Sequence, residues 1–135
     1  MKTKSIRQTA TFKASPEEIY NLIMDEKKHA EFTGSKATLS TKPNGEFSVF
    51  DGYCRGYNIE LVKGKKIVQA WHFEEDGWPD NHFSICNFEF EKFGDKTKLR
   101  FIQSDVPVHK VESLKEGWKQ FYWDAIKKYL KSEKN

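Results

Sequence analysis

Residues 108–130, VHKVESLKEGWKQFYWDAIKKYL, carry the strongest structural signal of the chain. Apolar side chains recur there at spacings of three and four residues, which places them on one face of a helix. The predicted buried residues are Val111, Leu114, Trp118, Phe121, Tyr122, Ala125, Ile126, Tyr129 and Leu130. Such a helix is roughly 30 Å long at about 1.5 Å per residue. Because its apolar face is mostly aromatic, it needs a large apolar surface to pack against.

Gly117 lies beside this apolar face, directly before Trp118. A glycine inside a helix costs about 1 kcal/mol relative to alanine, so its presence needs a reason. We expect the helix to approach the rest of the molecule closely at this position. The alternative is an exposed glycine with no role.

The chain before this helix predicts one strand, two short helices and six further strands. Residues Lys4–Lys13 alternate between apolar and polar, as in a half-buried strand. Ser15 is the predicted N-cap of a helix that begins at Pro16, with Glu18 completing a capping box. A second short helix is predicted from Lys27 to Phe32, ending at Thr33-Gly34.

Six runs rich in β-forming residues follow, separated by turn signals such as Asp51-Gly52. They are Lys36–Thr41, Glu46–Phe50, Tyr53–Val62, Lys66–Glu74, His82–Glu91 and Thr97–Asp105. Because the connections are short, strands that follow one another should pair as an antiparallel meander. The predicted fold class is therefore α+β, a curved seven-stranded antiparallel sheet around a long C-terminal helix.

Composition limits the function classes. A chain of 135 residues is long enough for one domain, which we expect to span 1–135. Its 23 basic and 20 acidic residues are too balanced to predict nucleic-acid binding. The lysines from Lys127 to Lys134 are interpreted as a solvated helix end. Neither a signal-peptide core nor a membrane-spanning run is found, and Cys54 and Cys86 have the spacing of neither a zinc site nor a disulfide framework. We therefore expect a cytoplasmic protein with reduced thiols.

Several short motifs occur in order along the chain and together resemble one family. They are Phe32-Thr33-Gly34, Asn44-Gly45-Glu46-Phe47, Asp51-Gly52, Gly56, Ile67-Val68-Gln69, Trp71, Trp78-Pro79, Val106-Pro107, Gly117-Trp118, Tyr122 and Leu130. The set is similar to the activators of Hsp90 ATPase, of the C-terminal-domain type, within the START-like (SRPBCC, birch-pollen-allergen-like) superfamily. The resemblance implies a helix-grip fold with a cavity for small hydrophobic molecules between sheet and helix. It also implies a chaperone partner and a role in the stress response. The eukaryotic co-chaperone has a separate N-terminal domain, for which we expect no counterpart in these residues.

Strand alternation then predicts which side chains face that cavity. Residues Gln69 and Gln103 share strand faces with large aromatic residues, and Tyr57, Ile59 and Leu61 share another such face. The predicted ligand-binding residues are Tyr57, Gln69, Trp71, Phe73, His82, Phe88, Phe101, Gln103, Trp118 and Tyr122. Three of them, Gln69, Gln103 and His82, would orient polar atoms of the ligand. The alternative is that these polar groups bond to one another, to tyrosines or to water inside an ordinary core.

Metal and catalytic sites are not predicted. His82, Ser84 and Cys86 alternate on one strand but lack a second pair of ligands. None of the common hydrolase, metalloprotease, P-loop or dinucleotide motifs occurs, so no catalytic residue and no cofactor are predicted. The acidic run Glu74-Glu75-Asp76 is interpreted as solvated loop charge.

Two surface features favour protein contacts. The side chains of Phe83, Ile85, Val68 and Ile102 should point away from the cavity and form an apolar patch if their strands are neighbours. Such a patch could support a homodimer or a partner protein. Trp78 and Trp123 are expected to cover the ends and rim of the core, with an exposed interface role as the alternative.

Three functional hypotheses follow. The first is non-enzymatic binding of a small hydrophobic or amphipathic molecule between sheet and helix. The second is a protein-interaction module, chaperone-linked or homodimeric, that acts through its surface. The third is an enzyme of unknown chemistry.

Overall fold

The computed structural model describes residues 1–133; Lys134, the last of the predicted helix-end lysines, and Asn135 lie outside the described residues. A first strand and two short helices open the chain: β1 (Thr3–Phe12), α1 (Pro16–Met24) and α2 (Glu26–Thr33). The remaining strands are β2 (Thr38–Leu39), β3 (Glu46–Val49), β4 (Cys54–Val62), β5 (Lys66–Phe73), β6 (Ser84–Phe93) and β7 (Lys96–Pro107). A short 3-10 turn, Val108–Lys110, leads into the C-terminal helix, which continues to Glu133.

The seven strands form one antiparallel sheet in the order β1-β7-β6-β5-β4-β3-β2. Strands β2 to β7 are a meander, as predicted, whereas β1 pairs with the distant strand β7 because α1 and α2 carry the chain across the sheet. Only two residues of the predicted strand Lys36–Thr41 pair, as β2. The curved sheet around a long helix confirms the predicted α+β helix-grip fold.

The short helices begin where their side chains can cap them. Ser15 Oγ accepts a hydrogen bond from the amide of Glu18 at 3.2 Å, as the capping box predicts. Asp25 caps α2 in the same way through the amide of Lys28, at 3.0 Å. Helix α1 then buries Ile19, Leu22 and Ile23 in the core.

The C-terminal helix is not α-helical throughout. Two α-helical segments, α3 (Val111–Trp118) and α4 (Asp124–Glu133), flank a π-helical turn, Lys119–Trp123. A π turn contains an extra residue, so it rotates every later side chain relative to an unbroken α-helix. Accordingly the predicted burial of Phe121 is wrong, since this side chain is 49% exposed. Trp123 is buried, as expected, and its Nε1 donates to Gln8 Oε1 at 2.7 Å.

A second local irregularity lies in β4. The pairing of β4 with β5 shifts between Asn58 and Glu60, which is a β-bulge. Asn58 is fully buried on the helix-facing side, whereas Tyr57 and Ile59 are exposed. The predicted inward orientation of Tyr57 and Ile59 is therefore wrong. Leu61, which pairs with Ile67 beyond the bulge, packs against the core.

Close backbone approach occurs at Gly56 rather than at Gly117. A Cβ added at Gly56 would lie 1.7 Å from Ala70 O, so no larger residue fits there without moving the chain. At Gly117 the nearest heavy atom to an added Cβ is Phe121 Cδ2, at 4.0 Å. The prediction that Gly117 permits close approach of the helix is therefore wrong, because this position borders open space.

Candidate functional site

Two glutamines hold the tryptophan rings of the core. Gln103 Oε1 accepts from Trp118 Nε1 at 2.8 Å, and Gln103 Nε2 donates to Ser84 Oγ at 2.9 Å. Gln69 Oε1 accepts from Trp71 Nε1 at 3.0 Å. All of these groups are buried, so their hydrogen bonds offset the cost of removing them from water.

The second glutamine extends this network to the bulge in β4. Gln69 Nε2 donates to Asn58 Oδ1 at 3.0 Å, and Asn58 Nδ2 donates to the main-chain oxygens of Ser40 and Lys42. Both glutamine amides are thus bonded within the protein. These contacts match the alternative interpretation, in which the polar groups of the core bond to one another.

A separate pocket lies between the C-terminal helix and the end of the sheet formed by β3, β4 and β5. Its volume is about 490 Å³. Seven of the lining residues are aromatic, and Glu75 is the one that carries a charge. The lining residues are Phe50, Tyr53, Cys54, Trp71, Phe73, Glu75, Ser113, Leu114, Gly117, Trp118, Phe121 and Tyr122.

Two irregular backbone segments form the pocket wall. The π turn holds Phe121 at its edge, where the ring centroid is 6.1 Å from that of Phe50. Phe50 and Asp51 both have φ +53° in the turn between β3 and β4. Positive φ is a strained conformation for a bulky residue such as phenylalanine, and strain of this kind is concentrated at binding sites. Gly117 adds space, because it contributes no side chain to the wall.

Glu75 marks the polar part of the pocket. Tyr53 OH donates to Glu75 Oε2 at 2.7 Å, and Lys110 Nζ lies 3.5 Å from the same oxygen. Burial, and then the bond to Glu75, raises the pKa of Tyr53, so this hydroxyl stays protonated and donates. Burial also raises the pKa of the Cys54 thiol in the pocket wall. The interpretation of Glu75 as a solvated loop charge is wrong, since its side chain is 22% exposed and hydrogen-bonded.

The family model described as "Activator of Hsp90 ATPase homolog 1-like protein" matches residues 13–131. The chain belongs to this family. Activator of 90 kDa heat shock protein ATPase homolog 1 from Homo sapiens is 32% identical over 125 residues, which are 93% of this chain and 36% of that protein. The Dictyostelium discoideum homolog is 32% identical over 126 residues, 93% of this chain and 32% of that protein. The chain thus spans about a third of the length of these curated relatives.

Solved structures show the same START-like fold. The crystal structure of an HSP90 activator from Plasmodium falciparum matches with a TM-score of 0.85 and 29% identity. That match covers 93% of this chain and 95% of the Plasmodium chain. DynU16, a putative protein in the dynemicin biosynthetic locus, matches with a TM-score of 0.80 at 16% identity, over 96% of this chain and 48% of its own. At 16% identity, this structural similarity is evidence for the fold alone.

The predicted ligand-binding residues of this activator-family domain fall into three groups. Trp71, Phe73, Trp118 and Tyr122 line the pocket. A second group, Gln69, Phe88, Phe101 and Gln103, lies in the closed core beside it. Tyr57 and His82 lie outside both places. The residues that sequence reasoning missed are those at the pocket edge, chiefly Glu75, Tyr53, Phe50 and Phe121. The Asp51-Gly52 turn signal beside Phe50 and Tyr53 is the feature that could have indicated two of them.

His82 is not a cavity residue because the strand predicted to contain it begins only at Ser84. Its Nε2 is 2.7 Å from Asp105 O, and its main-chain oxygen accepts from Trp78 Nε1 at 2.8 Å. Trp78 is buried against Phe73, with ring centroids 4.7 Å apart. The burial expected for Trp78 and Trp123 is confirmed, and His82 helps to hold the loop that carries Trp78.

His29 is a buried histidine of α2 that sequence reasoning did not select. Its Nε2 lies 2.7 Å from Tyr122 OH, and its ring packs on Phe32 and Phe50. Burial lowers the pKa of His29 to about 4, so the ring is neutral at pH 7. Burial raises the pKa of Tyr122. The contact connects α2 to the π turn, and with it to the pocket wall.

In residues 1–133 no three side chains of histidine, cysteine, aspartate or glutamate come together in a way that could hold a metal ion. Within the same range, no helix has the length and apolar character needed to cross a membrane.

Proposed function

We propose that this chain binds an Hsp90 chaperone and stimulates its ATPase. The observation that carries the proposal is the match to the Plasmodium HSP90 activator, which covers 95% of that chain. A solved chain with that description thus has nearly the same extent as this one. The matches to curated activators over 93% of this chain support the same role.

The convex face of the sheet is the surface that we propose for this contact. Val68, Phe83, Ile85 and Ile102 are half-buried there, beside the exposed ring of Tyr57. Asn87 pairs with both Val68 and Ile102, and its Oδ1 is buried without a hydrogen-bond partner in the described part of the chain. An apolar patch of this kind on an exposed sheet face fits a protein partner. A homodimer through the same patch is the alternative.

The Phe83→Glu substitution tests this role. It places a charge at the end of the patch beside Tyr57, so we expect the affinity for Hsp90 to fall by at least about tenfold, as for one aromatic hot spot. Binding is measured by analytical ultracentrifugation with Hsp90 of the same organism, and stimulation by its steady-state ATPase rate. Phe93→Glu is the matched control, because Phe93 is 55% exposed at the end of β6, away from the patch. Wild-type protein that neither binds Hsp90 nor changes its ATPase rate would contradict the proposal, and a dimer dissociated by Phe83→Glu would favour the alternative.

A second candidate function is binding of a small hydrophobic or amphipathic molecule in the pocket. The specific observation is the aromatic pocket of about 490 Å³, which is within the size range of ligand sites. Gly117 supports this candidate, because a glycine there costs helix stability and leaves the pocket open. Ligand binding and chaperone binding use different faces, so the two functions are compatible.

Gly117→Leu should close the pocket without disturbing the core. Its Cβ would meet only Phe121 Cδ2, at 4.0 Å, and the larger side chain would then occupy the open space. We expect binding of an environment-sensitive apolar dye, measured by fluorescence titration, to weaken at least about tenfold, the effect of losing about 1.4 kcal/mol. Gly117→Ala is the control, and it should keep the affinity while raising the free energy of unfolding by up to about 1 kcal/mol. Equal dye binding by the leucine variant would show that the dye does not use this pocket.

We further propose that residues 1–135 form a single domain that works in the cytoplasm. Cys54 and Cys86 are both buried and unpaired, which is common for proteins of reducing compartments.

A further inference from the structure

The pocket differs from a plain apolar cavity in the polarity of its wall. The donors of Trp71, Trp118, Tyr53 and Ser113 are already engaged within the protein, the Cys54 thiol donates weakly, and Tyr122 OH shares a hydrogen bond with His29 whose direction is set by the histidine tautomer. Both indole nitrogens donate to core glutamines, and each hydroxyl has a partner. These contacts are Trp71 to Gln69 at 3.0 Å, Trp118 to Gln103 at 2.8 Å, Tyr53 to Glu75 at 2.7 Å, Tyr122 with His29 at 2.7 Å and Ser113 to Lys110 O at 3.2 Å. An anionic group would therefore find few strong side-chain donors in the pocket.

The wall instead offers a free acceptor and aromatic rings. Both contacts of the Glu75 carboxylate, with Tyr53 and with Lys110, use Oε2, and no hydrogen bond to Oε1 occurs among residues 1–133. Lys110 is not a lining residue, and its Nζ is held by Asp76 O at 2.6 Å. The carboxylate that borders the cavity is thus ion-paired through Oε2, which leaves Oε1 for a further cation or donor. The seven aromatic residues present rings, whose negative faces attract cations.

We propose that the pocket takes an organic cation, namely an amine or quaternary ammonium group carried on an apolar body. The apolar body would lie against Trp71, Trp118 and Leu114, and the cationic group beside Glu75 Oε1 and the neighbouring rings. Cation–π attraction is strongest when the cation is desolvated, and a nearby carboxylate adds Coulomb attraction. The inference rests on the second proposed function, ligand binding in this pocket, and adds the chemical class of the ligand.

Three probes share a ten-carbon chain and differ in the charge of the head group: decyltrimethylammonium, decanol and decanoate. Comparing their affinities separates the effect of charge from that of apolar contact. Binding to the full chain is followed by quenching of the Trp71 and Trp118 fluorescence at concentrations below micelle formation. We expect the cation to bind about tenfold more tightly than the alcohol, and decanoate to bind more weakly than either. Equal affinity for cation and alcohol, or tightest binding of decanoate, would overturn the charge assignment while leaving the pocket as an apolar site. Absence of binding by all three would overturn both the inference and the proposed ligand function.

Matched variants assign the preference to the named groups. Glu75→Gln keeps an acceptor for Tyr53 OH but removes the charge, so it should lower the affinity for the cation about tenfold and leave that for decanol unchanged. Asp76→Asn removes the same charge one residue away, where the side chain is exposed, and should change neither. Phe121→Leu keeps apolar bulk but removes a ring at an exposed position, and should reduce the preference for the cation. A preference that survives both Glu75→Gln and Phe121→Leu would overturn the proposal.

Discussion

Replacement of Trp118 by alanine is expected to lower the free energy of unfolding by about 3–5 kcal/mol. The indole packs against Phe101 and Trp71, with ring centroids 4.4 and 5.1 Å away, so its removal leaves a large cavity. It also leaves Gln103 Oε1 without the donor that lies 2.8 Å from it, and an unpaired buried acceptor adds to the loss. Urea unfolding followed by far-UV circular dichroism measures the effect without relying on tryptophan fluorescence.

Phe121 provides the matched control on the same helix. An unbroken α-helix would bury Phe121 with Trp118, whereas the π turn leaves it 49% exposed. We therefore expect Phe121→Ala to cost less than about 1 kcal/mol, as for other surface substitutions. If the two alanine variants lost the same stability, the π turn between Lys119 and Trp123 would be contradicted.

The second large effect is a loss of stability in mild acid that depends on His29. The pKa of His29 is lowered by burial from 6.5 to about 4 in the folded protein. Between these pH values the unfolded chain binds more protons than the folded one, so the free energy of unfolding falls as pH falls. The full contribution is present above about pH 6.5 and is lost by about pH 4, amounting to about 3 kcal/mol. Urea midpoints measured at a series of pH values would show it.

Two variants isolate this contribution. His29→Gln can still bond to Tyr122 OH but does not titrate in this range. We therefore expect its free energy of unfolding to fall between pH 6.5 and 4 by about 3 kcal/mol less than that of the wild-type protein. Tyr122→Phe removes the hydroxyl and keeps His29 buried, so the pH dependence should persist, because burial rather than the hydrogen bond lowers the pKa. Unchanged pH dependence in His29→Gln would show that another group is responsible.

The order of elements and the fold class could be predicted because their signals are local. Ser15 and Glu18 define a helix start within four residues, and Asp51-Gly52 defines a turn between two strands. The aromatic face of the C-terminal helix indicated which element the sheet surrounds. Four pocket residues, Trp71, Phe73, Trp118 and Tyr122, followed from the same alternation and helical periodicity.

The errors come from two places where one extra residue changes the period. The bulge between Asn58 and Glu60 places Tyr57 and Leu61 on opposite faces of β4, and the π turn leaves Phe121 at the surface. Both irregularities are accompanied by distant polar contacts: Asn58 bonds to Gln69, and Trp123 to Gln8, 115 residues away in sequence. The periodicity of one segment contains no information about such partners. A prediction from periodicity therefore extends the regular period through the bulge and the π turn.

The order of the elements, the fold class and the family could be read from the amino-acid chain, because these depend on neighbouring residues and ordered motifs. The lining of the pocket, by contrast, depends on how the elements pack together. Gln69 and Gln103 look like ligand contacts in sequence but are satisfied within the core, and Glu75 looks like loop charge but borders the pocket. The physical reason is that burial and hydrogen bonding of a polar group depend on which distant segments pack beside it. The space beside Gly117 likewise exists only once the helix has packed against the sheet.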